Sequence, residues 1–289
     1  MRSTAVPQLP GLPYPITIQR GSAYRIPEIF RERLAGRRLV VVSDREVSAL
    51  YRQTLNEQFK AGGANPCFLT IDGSEAGKTP ESVRSLYEQL SDMEMSVQDL
   101  LVAFGGGSVI DVTAFAAATY LGGLDYVQVP TSLLAMADSA ASPVCRLNYR
   151  STKNLLSLAC RPAGVLIDAD LLKTLPPRLM TNGYAQIIQF GCVQNPAILE
   201  MMETNSLDIE ELLTAALAAR IRLLADFPEG LNFGRPIGDA IEGHFRFLKY
   251  LHGEALALGM LAASPSDRLR RLLGQYKLPV HLEGVNSET

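Results

Sequence analysis

Leu100-Leu101-Val102-Ala103-Phe104-Gly105-Gly106-Gly107-Ser108-Val109-Ile110-Asp111 is the stretch that decides the fold. Its apolar opening reads as a buried strand, and the small-residue run after it, Ser108 to Tyr120, reads as a helix. Three glycines at the junction let the backbone approach a ligand closely, and the helix N-terminus offers free N–H groups and the positive end of a dipole to a pyrophosphate. The spacing is not GxGxxG, so the usual dinucleotide fingerprint is absent and the turn alone does not separate a nucleotide site from a structural tight turn. Working outward, the same βα alternation recurs. Leu39–Asp44 reads as a strand, followed by a helix from Glu46 to Ala61 that Gly62-Gly63 closes. Cys67–Ile71 is a strand, and Thr79 to Leu90 a helix with Pro80 just inside a threonine cap. Tyr126–Val129 and Gly164–Asp168 complete five strands of a parallel sheet.

After Lys173-Thr174-Leu175-Pro176-Pro177 the pattern changes. Leu179–Phe190, Ile198–Asn205, Leu207–Phe227, Ile237–Leu261 and Ser266–Tyr276 carry helical periodicity and no strand signal. The expected organisation is an α/β dinucleotide-binding domain over residues 1–174 and an all-α domain over residues 175–289, with fraying only from Gly284 to Thr289.

Composition narrows the function. The 289 residues carry 27 Lys+Arg against 30 Asp+Glu, a net charge of −3, which argues against the basic face that a nucleic-acid grip needs. Hydrophobic residues at 47% exclude a disordered chain. Cys67, Cys145, Cys160 and Cys192 are too scattered for a zinc knuckle and read as buried small hydrophobes in a reducing compartment. The start, with prolines at Pro7, Pro10, Pro13 and Pro15, has no apolar signal core, and no run is long enough to span a membrane. A soluble, cytoplasmic protein is expected.

The polar residues fall where ligands bind in open α/β sheets, at or after strand ends: Ser43-Asp44, Gly73 to Lys78, the glycine turn with Asp111, Thr131-Ser132, and Lys153-Asn154. Together with Tyr120-Leu121, Gln128 to Leu134, Asp138-Ser139, Val165 to Asp168, Leu172 to Pro176, Asn232-Phe233-Gly234 and Leu251-His252-Gly253-Glu254, all in order, they make a chain that resembles the 3-dehydroquinate synthase family of sugar-phosphate cyclases. The resemblance implies an NAD-binding domain joined to a helical metal-binding one, and a reaction that transiently oxidises 3-deoxy-arabino-heptulosonate 7-phosphate, eliminates phosphate, reduces the ketone and closes a carbocycle. It assigns NAD contacts to Asp44, Glu75, Lys78, Gly105, Gly106, Gly107, Asp111, Thr131, Ser132, Lys153, Lys173 and Thr174, and catalytic roles to Asp138, Lys153 and Asn154.

The same resemblance implies three metal ligands: a glutamate in a helix reading AEVIKYG, a histidine in NFGHTFGHA, and the histidine of HGE. Here Gln186 stands in the glutamate's place, Arg235 in the first histidine's, and Asp239 in that of the neighbouring family histidine; only His252 matches. An amide, a guanidinium and one imidazole are not the three-ligand set of a catalytic zinc. A rearranged set would draw on Asp239 and His252 with Glu254 or His244. The anion pocket is thinned too, with Gly122, Ser142-Pro143-Val144 and Gln189 where the family carries basic residues, Glu229-Gly230-Leu231 in place of its Gly-Leu-Arg, and the late family lysine beyond Thr289 missing. Arg146 is a partial substitute. At about 1.5–3 kcal/mol per charged hydrogen bond, such losses empty the site at millimolar substrate.

The expectation is therefore a family member of shikimate-pathway ancestry that keeps its NAD half and is impaired as a phosphate-eliminating lyase, a pseudoenzyme that forms homo-oligomers, with a sugar phosphate as the remaining possible ligand. The alternatives are a working synthase with a rearranged site and an NAD-dependent polyol dehydrogenase, which shares Gly-Gly-Gly-Ser-x-x-Asp.

Overall fold

The computed structural model describes residues 12–34, 38–150, 152–204 and 207–284. Pro7, Pro10 and the end beyond Gly284 lie outside them. The chain divides into two compact units, Met1–Thr174 and Leu175–Thr289.

The first unit is a six-stranded parallel sheet. In chain order it comprises β1 (Ile16–Ile18), the single-turn helices α1 (Ile26–Ile29) and α2 (Arg31–Leu34), β2 (Leu39–Asp44), α3 (Arg45–Ala61), β3 (Pro66–Ile71), α4 (Pro80–Asp92), β4 (Leu100–Gly105), α5 (Gly107–Thr119), β5 (Asp125–Pro130), α6 (Leu133–Ala137), β6 (Val144–Tyr149), β7 (Thr152–Ala159) and β8 (Gly164–Ile167). The order across the sheet is β1-β8-β5-β4-β2-β3, every pair parallel. β2 and β4 are buried almost throughout, as strands covered on both faces must be. From β2 the chain goes to β3 on one side, then returns to β4 on the other, so the topological switch lies between β2 and β4. Asp44 and the glycine turn sit at that switch, where open α/β sheets form their crevice. Asp44 accepts from Val47 N–H at 2.8 Å and Thr79 caps α4, so the polar residues read as strand ends also start the helices.

The sequence reading missed the antiparallel hairpin of β6 and β7. Its alternation is real, with Cys145 and Leu147 buried between partly exposed neighbours, but it falls between turn-rich segments and was absorbed into a connection. The hairpin packs against α5, which is buried nearly all round. β1 was likewise missed; three residues are too few to show a period.

The second unit is helical: α7 (Pro177–Val193), α8 (Ala197–Glu203), α9 (Ile209–Asp226), α10 (Arg235–His244), α11 (His252–Ala263) and α12 (Asp267–Gln275). The expected helix Ile237–Leu261 is in fact two. Arg246 and Phe247 take positive φ after α10 ends, and Glu254 accepts from Leu251 N–H at 2.8 Å, a capping contact that starts a new helix there. His244 and His252 are therefore on different helices. α10 and α11 cross closely: a Cβ on Gly259 would lie 2.0 Å from the Gly234 carbonyl oxygen, so only glycine fits the crossing. No helix among the described residues is long and apolar enough to cross a membrane. Cys192 is exposed, unlike the buried Cys145 and Cys160, because its place near the end of α7 turns it outward.

Candidate functional site

In the α/β unit the sheet and the hairpin assemble a polar cluster around Lys78. Its Nζ lies 2.7 Å from Asn154 Oδ1, 3.2 Å from Asp111 Oδ2 and 3.5 Å from Glu75 Oε1, with the side chain only 8% exposed. Asn148 ties the ring together: it donates from Nδ2 to Glu75 Oε1 at 3.0 Å, accepts from Asn154 N–H at 2.8 Å, and donates its own N–H to the Lys78 carbonyl oxygen. Burial pushes the Asp111 carboxyl up from the usual carboxylate range, against the pull of Lys78 and of the Arg146 N–H that donates to Oδ1 at 3.2 Å. Asn154 takes a positive φ of 56°, a conformation asparagine tolerates better than most residues, and that aims it back at Lys78. Asn148 was missed by sequence reasoning; the alternation of β6 was the signal that could have placed it.

Beside this cluster, α5 begins at the glycine turn. Gly106 is its cap without a side-chain hydrogen bond; a Cβ there would meet only Ser132 Oγ at 3.8 Å, and one on Gly107 would meet Ser139 Oγ at 3.2 Å. The first turn of a helix presents unpaired N–H groups that suit a pyrophosphate. Gly105 is demanded by packing instead, since a Cβ would sit 2.7 Å from the Val109 side chain. Thr131 is buried and donates its N–H to the Gly105 carbonyl oxygen; Ser132 caps α6, and Asp138 ends it. These residues fit a dinucleotide. Lys153 precedes Asn154 on β7 and is partly buried; Lys173 pairs with Asp170 at 2.8 Å with most of its side chain in solvent; Thr174 bonds to Tyr51.

In the helical unit the family's metal-ligand positions carry a different chemistry. Gln186 and Gln189, 0% and 1% exposed, form an amide ladder: Gln186 Nε2 donates to Gln189 Oε1 at 2.6 Å, and Gln189 Nε2 donates to the carbonyl oxygens of Leu231 at 3.1 Å and Phe233 at 2.6 Å. The ladder ties α7 to the turn that leads into α10. Gln186 Oε1 has no hydrogen-bond partner among the described residues. Arg235 opens α10 with its Nε buried, and His252 opens α11 with Nδ1 at 2.8 Å from Glu242 Oε1. A carboxamide, a guanidinium and an imidazole at these positions do not fit a catalytic zinc.

Of the residues considered for a rearranged set, Glu254 and His244 are engaged elsewhere. Glu254 forms a bidentate pair with Arg178, both contacts 2.7 Å; burial would raise its carboxyl, but Arg178 and the Leu251 N–H hold it below its ordinary range. His244 is exposed and stacks edge-on against Phe245. Asp239 and His252 do come together, and the third member is Glu242, which the sequence did not suggest.

The family described as 3-dehydroquinate synthase N-terminal matches residues 68–182. The chain is 34% identical over 286 residues to the 3-dehydroquinate synthase of Acaryochloris marina, covering 91% of this chain and 77% of that one. It is 31% identical over 278 residues to the enzyme of Streptococcus suis strain 05ZYH33, covering 92% and 78%. Among solved structures, it matches the 2-epi-5-epi-valiolone synthase ValA of Streptomyces hygroscopicus, with NAD+ and Zn2+ bound, at a TM-score of 0.82 and 22% identity over 98% of this chain and 85% of that one. Glycerol dehydrogenase of Schizosaccharomyces pombe matches at a TM-score of 0.70 and 17% identity, over 93% and 76%. At these identities the two structures speak for the fold alone: an α/β unit followed by a helical one.

Proposed function

We propose, from the premise that the chain belongs to the 3-dehydroquinate synthase family, that it binds NAD in its α/β unit and is impaired as a cyclase. The nucleotide residues proposed are Asp44, Glu75, Lys78, Gly105, Gly106, Gly107, Asp111, Thr131, Ser132, Lys153, Lys173 and Thr174. In this reading the uncapped start of α5 receives the pyrophosphate, and Lys78 holds a positive charge in place through Asp111, Glu75 and Asn154. NAD, when bound, supplies a hydride acceptor. Asp138, Lys153 and Asn154 are the residues proposed to face a sugar phosphate.

The observation that carries the impairment is the buried amide ladder. In this reading Gln186 and Gln189 stand where the family carries a carboxylate and an ammonium; both are neutral, buried and ordered by hydrogen bonds rather than solvated, which supports the reading. Loss of the basic groups at Gly122, Ser142 to Val144 and Gln189 removes the charge a doubly anionic sugar phosphate needs. Ser142 instead closes on its own turn, donating from Oγ to the Val144 carbonyl oxygen at 2.7 Å.

A second reading, a working synthase with a rearranged site, is favoured by the approach of Asp239 to Glu242 and His252. One assay decides. Calorimetry is expected to show NAD binding, and incubation of the protein with NAD, added Zn2+, Co2+ or Mn2+ and 3-deoxy-arabino-heptulosonate 7-phosphate to release no inorganic phosphate above background. Catalytic phosphate release would overturn the impairment and favour the second reading; failure to bind NAD would overturn the first half of the proposal.

A further inference from the structure

Across the hairpin Leu147 pairs with Leu156 and Tyr149 with Thr152, so β7 carries two residues more than β6 between the same two pairs. Asn148 stands opposite that bulge. A bulge breaks the ladder locally and re-aims side chains, and here Asn148 takes over the interrupted bonding. Its Oδ1 accepts from Asn154 N–H at 2.8 Å, while its own N–H leaves the hairpin for the Lys78 carbonyl oxygen at 2.8 Å. Asn154 is the bulged residue whose φ is 56° and whose Oδ1 accepts from the Lys78 ammonium.

The other end of the same amide is engaged on the opposite side of the cluster. Nδ2 donates to the Glu75 carbonyl oxygen at 2.9 Å and to Glu75 Oε1 at 3.0 Å. One side chain therefore fixes two of the partners of Lys78, Asn154 on the hairpin and Glu75 in the segment between β3 and α4. The third, Asp111 on α5, accepts from the N–H of Arg146, which also lies on β6. With both amide hydrogens and the oxygen of Asn148 engaged, what the residue contributes is the placement of its neighbours.

We infer that Asn148 is a positioning residue of the nucleotide site, locking Glu75 and Asn154 around the Lys78 ammonium before the nucleotide arrives. The inference rests on the NAD-binding reading and deepens it. The hairpin and the segment between β3 and α4 are then already ordered against each other in the free protein, so binding does not have to supply that order. Of the bonds Asn148 makes, the one to the Glu75 carboxylate is charge-assisted and the strongest in kind. Its loss is the one that NAD affinity reports most.

The test is a double-mutant cycle on the full chain, read by calorimetric titration with NAD, with urea denaturation confirming that each variant folds. Asn148→Asp keeps the acceptor for Asn154 and sets a like charge against Glu75, and it is expected to weaken NAD binding about tenfold or more. In a Glu75→Gln background, where the introduced amide can donate to that carboxylate, the same substitution is expected to cost about threefold or less. Tyr149→Ser, at the exposed neighbouring position, is expected to leave NAD affinity unchanged. Affinity that Asn148→Asp does not alter, or weakens equally in both backgrounds, would overturn the inference, the second result marking a structural role independent of Glu75. Where Asn148→Asp does not fold, Asn148→Ala carries the same comparison. A wild type that binds no NAD fails the underlying reading instead. The inference is then decided without nucleotide by hydrogen exchange at the Asn154 amide, which is expected to quicken in Asn148→Ala and, if unchanged, overturns it.

Discussion

The two units hold buried polar clusters of opposite character. Around Lys78 the charges are kept and paired, a lysine between two carboxylates with Asn148 and Asn154 filling the remaining hydrogen bonds. Around Gln186 the charges are gone: two amides share one bond, one reaches backbone carbonyls, and an oxygen has no donor among the described residues. A buried charge persists only where its partners persist, so removing charges together, by amides that bond to each other, leaves a fold intact while changing what the site can hold.

The largest expected effect lies in the charged cluster. Lys78→Met leaves Asp111 and Glu75 without their cation; breaking a buried pair from one side costs about 3–5 kcal/mol, read by urea denaturation at neutral pH, and NAD binding is expected to vanish with it. Asp111 gives the loss a sign in pH. With Lys78 gone, burial alone raises its carboxyl further above its unfolded value, so the destabilisation is expected to grow as pH rises through the carboxylate range and to shrink in acid. A variant equally unstable at all pH would contradict the pairing.

In the amide cluster the effect is smaller. Gln189→Leu removes the donors to Leu231 and Phe233 and the acceptor for Gln186, at about 2–3 kcal/mol, with the turn before α10 expected to gain hydrogen-exchange rate ahead of the rest of the unit. Smallest is the half-exposed pair Arg178–Glu254. Glu254 is held below its unfolded range, so its contribution is present above that range and lost as pH falls through the folded value. Arg178→Met is expected to cost about 0.5–1 kcal/mol at neutral pH, because solvent screens the exposed arginine, and to flatten the acid limb of the stability curve.

Much of the fold was legible because strands buried on both faces announce themselves: Leu39 to Ser43 and Leu100 to Phe104 need no partner to be recognised. The hairpin was not, since Val144–Tyr149 and Thr152–Ala159 are half-exposed strands whose meaning comes from pairing with each other and packing on α5. That omission hid Asn148. The break between α10 and α11 depends on Glu254 capping Leu251, a contact that helical periodicity overrides when only the apolar pattern is counted. The substituted positions, Gln186, Arg235 and Asp239, could be read only against the family motif. Glu242 could not be read at all, because its meaning is set by the crossing of two helices that the sequence presents as one.

The claim that the helical scaffold is intact and only its ligands are exchanged is tested most directly by zinc titration of the triple variant Gln186→Glu, Gln189→Lys, Arg235→His beside the wild type. The predicted result is a folded protein that binds zinc about a hundredfold more tightly than the wild type. A triple variant that folds yet takes up zinc no better than the wild type would contradict the placement of the exchanged site.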